Sequence, residues 1–537
     1  MIDISAFRGE IPKLSDKLLP ENYASSAVNC DLQEGQLKPT KTVSSIFDIG
    51  ATATSIYKMN SSYLQWVNDV SVVRSLVADS GNRIMFTGDG YPKETNAALA
   101  INGGTYPTAT RRLGIPAPTN ALTITLNGTP GDDIVHSSSY VYTIVGLWDD
   151  GSVVESGPSP ATAVFDVYED ITPNLSDFVD ATATGVYTTH FRIYRLNSSN
   201  TGAEYQFVDE ITVDASPLEY DDTKTDDDLG EVLPTTGWTS PDDDLFGLIA
   251  TSHGLVFGFE GNTIYPSEVF ISYAFPVNYS LTVESDIVGG GYTGSLVIVL
   301  TETVPYMLTG QDPETLALRR LGYQQPCVSS KSIVNVPGGV VYATPDGLFL
   351  IDEAGTGNLI TEKIFTKTQW NTLTPSNIFG FYYDGKYLGF ISGTASGFSI
   401  DLTDGEYQSF TLSETVYGGH YSPEADLLYL IQTKSTIREI VSWKTGSDQD
   451  YTWVSKEYSF NHRRVYTAGI IQGDFTGGSV VLTLYVDGVL VLTKTITSDS
   501  IFRLAPHPGT RFQVRLVGQA VIDRVVIGGS VLEVING

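Results

Sequence analysis

Cysteine is almost absent from this sequence, and long apolar runs do not occur at all. Cys30 and Cys327 are the only cysteines. A pair so widely separated fits neither a disulfide framework nor a zinc knuckle, so we expect two buried thiols. No stretch approaches the ~20 apolar residues of a membrane helix, and the opening residues mix acids with bases. We therefore expect a soluble chain without an export signal.

Basic residues are also scarce, with 31 Lys and Arg against 62 Asp and Glu and a net charge of −31. Duplex DNA would be repelled by such a chain unless basic residues gathered in one patch, and no large basic patch is visible in the sequence. The charge is uneven. Residues 117–222 hold 2 Arg and 17 acids, a net of −15, whereas residues 455–537 hold 8 basic and 6 acidic residues, a net of +2.

The residue patterns on which enzymes depend are missing. The sequence contains no G-x-S-x-G nucleophile turn, no G-x-x-x-x-G-K-[ST] phosphate loop, no H-E-x-x-H helix and no G-x-G-x-x-G dinucleotide turn. The glycine-rich segment 289–295 lacks the lysine that would reach a phosphate, so we expect it to form a turn. We predict that the protein is not an enzyme and binds no cofactor.

No pattern favours a metal site either. The histidines lack metal-binding spacing; they are His136, His190, His253, His420, His462 and His507. Two acid runs lack the alternating spacing of a calcium loop; they are Asp226, Asp227 and Asp228, and Asp242, Asp243 and Asp244. We interpret these six acids as loop or channel residues. Pro345-Asp346-Gly347 is only a fragment of the Asp box of sialidase propellers, and a hairpin turn explains it more simply.

The length and composition predict several all-β domains. At 537 residues the chain exceeds the ~250 to 300 residues over which one core usually grows. Long stretches are rich in Val, Thr, Ile and Tyr, which favour strands. Residues 1–45 have scattered prolines and short apolar runs, and we expect an arm lying against another surface. Residues 46–116 carry strand-like segments at 53–59, 63–67 and 83–87, which we expect to form one antiparallel unit and the first propeller strands.

Residues 117–238 are typical of a sandwich followed by an acidic linker. Strand candidates lie at 121–126, 139–148, 152–155, 163–167, 190–196 and 205–211, separated by Gly, Pro, Asp and Ser. The segments YVYTIVGLWDDGSVVESGPSP and FRIYRLNSSNTGAEYQFVDEI resemble a fibronectin type III-like domain. The first would be a hairpin that turns at Asp150-Gly151, and the second would supply the paired strands opposite.

An internal repeat follows in residues 239–454. The segments GLVFGFEGN, SLVIVLTET, GVVYATPDG, KYLGFISG and DLLYLIQT begin at residues 254, 295, 339, 386 and 426, in steps of 41, 44, 47 and 40. A period of ~40 to 50 residues is typical of β-propeller blades. The repeat predicts five blades and segments 53–87 a sixth. We therefore predict a discontinuous propeller of about six blades, interrupted by the sandwich.

Residues 455–537 predict a second small β-sandwich. Strand candidates lie at 479–486, 489–496, 512–517, 521–527 and 531–535. The Asp487-Gly488 pair between two apolar runs is a strong hairpin signal.

Short motifs stand in a characteristic order at both ends of the chain. They are FRGE at 7–10, LPENYA at 19–24, NCDL at 29–32, GQLKP at 35–39, WVNDVSVVR at 66–74, RIMFTGDGYPK at 83–93, LYVDG at 484–488 and FRL at 502–504. In this order they resemble the podovirus tail nozzle, or tail tubular protein B, family. The resemblance implies a structural virion protein in the tail of a short-tailed bacteriophage.

The same resemblance implies the partners of the protein. It implies a homohexameric ring below a tail adaptor protein, with tail fibre or plug proteins nearby and a host cell surface beyond. Viral DNA would pass through an axial channel during genome ejection without specific binding. Acidic side chains facing that channel would repel the phosphates, so that the duplex slides without sticking. Solubility of an abundant virion protein is the alternative explanation of the acidity.

Two other classes of function remain open from the sequence. Propellers and sandwiches present loops suited to glycan contact, and 30 Tyr with 6 Trp are available to stack on sugars, which would suit a receptor-binding or carbohydrate-binding tail protein. A propeller hydrolase acting on host polysaccharide is the other alternative. No convergent set of acids supports it.

Overall fold

The computed structural model describes residues 1–76, 81–199, 202–294 and 296–536, and it is almost entirely β. The chain forms a discontinuous β-propeller, a sandwich inserted into the propeller, and a second sandwich that contains both chain ends. The predicted fold class is confirmed. No helix in the described part of the chain is long and apolar enough to span a membrane.

In the described residues, the propeller contains six four-stranded antiparallel blades and one hairpin. Blade 1 comprises Ser71–Arg74, Ile84–Thr87, Lys93–Thr95 and Arg111–Arg112. Blade 2 comprises Phe246–Ala250, Val256–Glu260, Thr263–Pro266 and Leu281–Thr282. Blade 3 comprises Ile287–Thr293, Leu296–Thr301, Pro305–Thr309 and Ala317–Arg320. Blade 4 comprises Val334–Val336, Gly339–Ala343, Leu348–Asp352 and Gly357–Leu359.

Blades 5 and 6 share one long strand, Tyr407–Ser422. Its first part completes blade 5, and its last part, residues 416–422, opens blade 6. The other strands of blade 5 are Ile378–Tyr383, Lys386–Ile391 and Thr394–Asp401. Blade 6 continues with Leu427–Lys434 and Ile437–Ser442, and its fourth strand is Ser44–Ile49 from near the start of the chain. The hairpin comprises Ser55–Met59 and Ser62–Trp66.

The first strands of neighbouring blades contact one another around the propeller axis. The Ser71 hydroxyl donates to the Leu248 carbonyl (3.3 Å) between blades 1 and 2. The Tyr57 and His420 rings lie 4.8 Å apart between the hairpin and blade 6. Arg74 Nε donates to the Tyr57 hydroxyl (2.9 Å), which joins the hairpin back to blade 1 and closes the ring.

The sequence repeat corresponds to one structural position. Its five segments form the second strands of blades 2 to 6, which confirms the period; Ser295, where one segment starts, lies outside the described residues. These strands are covered on both faces by neighbouring blades, so Lys386–Ile391 and Gly339–Ala343 are buried throughout and appear as nearly continuous apolar runs. The prediction that segments 53–87 form one unit is wrong, because they divide between the hairpin and blade 1.

The glycine-rich segment is a strand rather than the predicted turn. Gly289 to Thr293 lie in the first strand of blade 3, close to the propeller axis. A Cβ on Gly290 would lie 2.7 Å from the Ile298 carbonyl oxygen and 2.9 Å from Ile249 Cδ1. A Cβ on Gly291 would lie 2.6 Å from Asn335 Oδ1. Glycine is required here because three blades converge, not because the backbone must turn.

The inserted domain is a two-layer sandwich. One sheet contains Val153–Glu155, Tyr140–Leu147, His190–Ser199 and Gly202–Thr212 in that order. The facing layer contains Thr123–Gly128, Ile171–Ser176 and Tyr220–Asp221 in one sheet, and Ile134–Ser138 with Phe165–Tyr168 in another. The predicted hairpin at Asp150-Gly151 and its paired strands are confirmed. Three strands escaped the sequence analysis: Ile134–Ser138, Ile171–Ser176 and Tyr220–Asp221.

The second sandwich combines the two ends of the chain. Its C-terminal strands are Tyr451–Ser455, Tyr458–Arg464, Ala468–Asp474, Val480–Val486, Val489–Ile496, Phe502–Arg503, Gly509–Gly518 and Val521–Gly528. The segment expected to be an arm contributes Ile2–Ile4, Arg8–Glu10 and Tyr23–Val28 to the same sheets, with a small ladder of Cys30–Asp31 and Lys38–Pro39. Both cysteines of the chain are free and buried, as expected.

Short helices lie at Ala97–Ala100, Lys367–Thr372 and Val531–Asn536, with 3₁₀ turns at Asp226–Asp228, Val277–Tyr279, Pro313–Thr315, Ser330–Ser332, Ile360–Lys363 and Pro375–Asn377. The strand predicted at 531–535 is wrong. The Ser530 hydroxyl accepts from Glu533 N (3.2 Å), and the Glu533 carboxylate accepts from Gly529 N (2.6 Å). This capping arrangement starts a helix, which the apolar alternation alone did not reveal.

We expect the Gly290→Ala substitution to lower the free energy of unfolding by about 1 to 3 kcal/mol, because the added methyl group overlaps a backbone carbonyl and a packed isoleucine. Gly322→Ala is the matched control, since a Cβ there has no neighbour within 4 Å. Urea unfolding of both variants gives the comparison. Equal stability of the two would contradict close packing at the axis.

Candidate functional site

All three acids of the first acid run lie at exposed positions. Asp226, Asp227 and Asp228 form a 3₁₀ turn after the inserted sandwich. Asp226 accepts a hydrogen bond from buried Arg195 (3.0 Å). Asp228 accepts from the Thr225 hydroxyl (2.6 Å), and this hydrogen bond holds the pKa of Asp228 below its ordinary value. Two of the three acids therefore have local structural partners.

The second acid run lies at the entrance to blade 2. Asp242 accepts from the backbone N–H of Asp244 (3.1 Å), and Asp243 forms an ion pair with Arg112. Both Asp242 and Asp243 line an open cleft of about 560 Å³, together with Glu260. Asp227 and Asp244 are exposed, and their carboxylates make no hydrogen bond or ion pair with the described residues, so their charge is available to an external partner.

A cavity of about 340 Å³ lies where the first strands of blades 1 to 4 converge. Asp69 and Lys331 form an ion pair in its lining. At ~30 Å³ per water, the cavity holds about ten water molecules. A DNA duplex, whose major groove alone is ~12 Å wide, cannot enter it.

Two other candidate residues from the sequence, Asp346 and His420, contact side chains of the propeller itself. Asp346 accepts from Lys367 (2.7 Å), which lowers the pKa of its carboxyl group. His420 is buried against Tyr57, and burial lowers its pKa to about 4. In the described part of the chain, no three His, Cys, Asp or Glu side chains are arranged to hold a metal ion.

A cluster of arginines and aromatic rings that no sequence pattern indicated lies between blade 1 and the inserted sandwich. Arg83 and Arg111, from the blade, lie over the Trp148 ring at 4.3 and 4.1 Å. Arg111 also lies 3.6 Å from the centre of the Tyr187 ring. Arg83 forms an ion pair with Asp150 (3.0 Å). We call these residues, together with Glu94, the interdomain clamp.

Glu94 is the electrostatic centre of this clamp. Its side chain is buried, and this burial raises its pKa to about 7. The positive charges of Arg83 and Arg111 and a hydrogen bond with Trp148 oppose that effect, whereas Asp150 adds to it. The cation–π contacts of Arg83 and Arg111 with Trp148 and Tyr187, together with the Arg83–Asp150 ion pair, join the inserted sandwich to blade 1.

One signal in the sequence could have indicated the clamp. Arg111-Arg112 is a pair of basic residues immediately before a segment with a net charge of −15. Its partners could not be found in this way, because Glu94 and Trp148 meet only through the packing of two domains.

The arrangement defines a class of protein: a β-propeller with an inserted sandwich and a terminal sandwich. No protein-family model and no curated protein match the sequence. Among solved structures, Hsv2 of Kluyveromyces marxianus is 12% identical, over 49% of this chain and 70% of Hsv2, with a TM-score of 0.25. Raptor of Chaetomium thermophilum is 9% identical, over 76% of this chain but only 29% of Raptor, with a TM-score of 0.31. Sqt1 of Saccharomyces cerevisiae is 7% identical, over 75% of this chain and 99% of Sqt1, with a TM-score of 0.31.

We expect the stability of the chain to fall as the pH rises from about 4.5 to 7. The folded chain holds the Glu94 proton to a higher pH than the unfolded chain, where the pKa is near 4.5. Stability from this group is therefore complete below pH 4.5 and is lost through pH 7, by about 3 kcal/mol. Urea unfolding of the Glu94→Gln variant should lack this component.

The control for this experiment is Glu302→Gln, which changes an exposed carboxylate on blade 3. It should leave the pH dependence of the wild-type chain unchanged. If the difference in stability between wild type and Glu94→Gln is constant from pH 4.5 to 8, Glu94 does not titrate as described.

Proposed function

We propose that this chain is a structural virion protein that forms the tail nozzle of a short-tailed bacteriophage. In this function a ring of identical subunits, a homohexamer, surrounds an axial channel for genome ejection. The observation that carries the proposal is the convergence of the family-like motifs from both chain ends in a single core.

The core of the terminal sandwich contains motif residues from each end of the sequence. Phe7, Cys30 and Leu37 come from the N-terminal motifs, and Leu484 and Phe502 come from the C-terminal motifs. The Phe7 ring contacts Trp453 edge to face at 5.0 Å. Motifs separated by most of the chain thus pack in one core. This packing supports the proposal that the N-terminal and C-terminal motifs together characterise one family.

A channel for DNA would have to lie between subunits. The cavity on the propeller axis is bridged by the Asp69–Lys331 ion pair and holds only about ten waters. A duplex therefore cannot pass through this cavity. This supports a ring in which each subunit contributes one wall of the channel.

The distribution of charge suits a wall that DNA slides along. With a net charge of −31, the average surface repels phosphate groups and would retain no duplex. Asp227 and Asp244 are exposed acids that could face such a channel. In the proposed assembly the ring contacts a tail adaptor protein on one side and tail fibre or plug proteins on the other, close to the host cell surface.

The alternative of a carbohydrate-binding tail protein finds less support. Five of the six tryptophans are buried; they are Trp66, Trp148, Trp370, Trp443 and Trp453. Stacking on sugars requires exposed rings, and these five instead belong to cores or to the interdomain clamp.

The proposal predicts that gold-labelled antibodies against this protein bind at the tail tip of phage particles that encode it. Particles lacking the protein should have shortened tails in negative-stain images, with no ring at the tip. Antibody against the major capsid protein is the control for labelling. Labelling of the capsid or of no virion structure would contradict the nozzle assignment.

The Asp227→Lys and Asp244→Lys substitutions test the acidic channel separately. If these acids face the passing genome, the double variant should eject DNA several-fold more slowly, because new positive charges hold phosphates. Glu302→Lys with Glu314→Lys is the control, since it makes the same change of charge on blade 3. Equal ejection rates for both pairs would place Asp227 and Asp244 away from the channel.

A further inference from the structure

At one end of its large sheet the terminal sandwich carries two uncovered strands, one basic and one apolar, on opposite sides of Gly509–Gly518. Strand Tyr458–Arg464 pairs on one side with Gly509–Gly518, and no other described strand covers its outer side. Arg463 and Arg464 are exposed there and form no ion pair with a described residue. Arg464 pairs in register with Gly509, which lies against Val486 beside the Asp487-Gly488 turn. That turn leads into strand Val489–Ile496, which pairs only with Val480–Val486 among the described strands and forms the opposite edge of the sheet. Val489 and Leu490 at its start are 64% and 54% exposed.

The inserted sandwich carries an edge of the opposite charge. Strand Ile134–Ser138 pairs only with Phe165–Tyr168 among the described strands. Ile134 and Val135 are 52% and 61% exposed. Asp132 and Asp133 precede the strand and are exposed, and Glu169 lies across from them, with its N–H donating to the Asp133 carbonyl (3.2 Å). We call these surfaces the basic edge and the acidic edge.

We propose that the basic edge of one chain binds the acidic edge of a second copy of the same chain. Exposed apolar residues on an uncovered strand edge are a liability that proteins usually avoid, so two such edges indicate that each is covered in an assembly. Their charges decide the partner. Arg463 and Arg464 oppose Asp132 and Asp133 in this contact, whereas pairing either edge with its own kind brings like charges together.

The contact joins different surfaces of the two copies, and such head-to-tail contacts produce a ring when the rotation closes. The ring rests on the proposed nozzle function. The contact between two copies is argued independently, from the exposure and charge of the two edges. Chains with a net charge of −31 repel each other at a distance. The C-terminal region, with its net charge of +2, is the surface on which an acidic copy meets least repulsion.

Disulfide trapping tests the contact without a virion. Purified Val135→Cys chains are mixed with size-tagged Val489→Cys chains at high concentration and oxidised. Cys30 and Cys327 are buried and should not interfere. We expect a mixed disulfide dimer in at least fivefold excess over the dimers that either variant forms alone. Equal amounts of self-linked dimer, or no mixed dimer at all, would overturn the proposal.

Charge exchange gives an independent test at low ionic strength. The Arg463→Glu/Arg464→Glu chain should lose the cross-link with its partner, and so should the Asp132→Lys/Asp133→Lys chain. The two reversed chains together should regain it, because the exchanged charges again attract. Glu302→Lys/Glu314→Lys is the control and should cross-link as wild type does. Cross-linking that ignores all these charges would overturn the proposal, and antibody labelling of the tail separately tests the nozzle function.

Discussion

Completion of blade 6 by the strand Ser44–Ile49 is the constraint on which the rest of the structure depends. This strand pairs antiparallel with Ile437–Ser442, from Ser442 opposite Ser44 to Arg438 opposite Ile49. The pairing completes blade 6 with residues from the start of the chain. It also brings the residues before position 44 next to the terminal sandwich, where they add strands to its sheets.

The N-terminal segment strengthens the same connection. Arg8–Glu10 pairs with Tyr23–Val28 and with the start of the strand shared by blades 5 and 6. The buried carboxylate of Glu10 accepts from Ala27 N (2.8 Å) and from the Ser409 hydroxyl (2.7 Å), so one side chain ties the sandwich to blade 5. The interdomain clamp plays the corresponding role for the inserted sandwich. Both sandwiches are thereby held on a closed ring, with their uncovered edges exposed.

Much of the fold could be predicted because particular residues respond to local physics. The second strands of the blades are covered on both faces and therefore are apolar along their whole length, which made the repeat visible. Asp487-Gly488 sets a hairpin by itself. In contrast, Gly289 to Gly291 resembled a loop, because a sequence does not distinguish glycine needed for a turn from glycine needed for close packing. The apolar pattern of Val531 to Ile535 is strand-like, but hydrogen bonds of Ser530 and Glu533 cap a helix there.

The sequence by itself determined the all-β class, the blade period, the interruption of the propeller and the uneven distribution of charge, since each depends on residues close together in the chain. Only the tertiary structure decided that Ser44–Ile49 closes blade 6, that the N-terminal segment belongs to the terminal sandwich, and that Glu94 meets Arg83, Arg111 and Trp148. It also decided which of the six acids have partners. Contacts between distant segments depend on how whole sheets pack, and no local pattern specifies that packing.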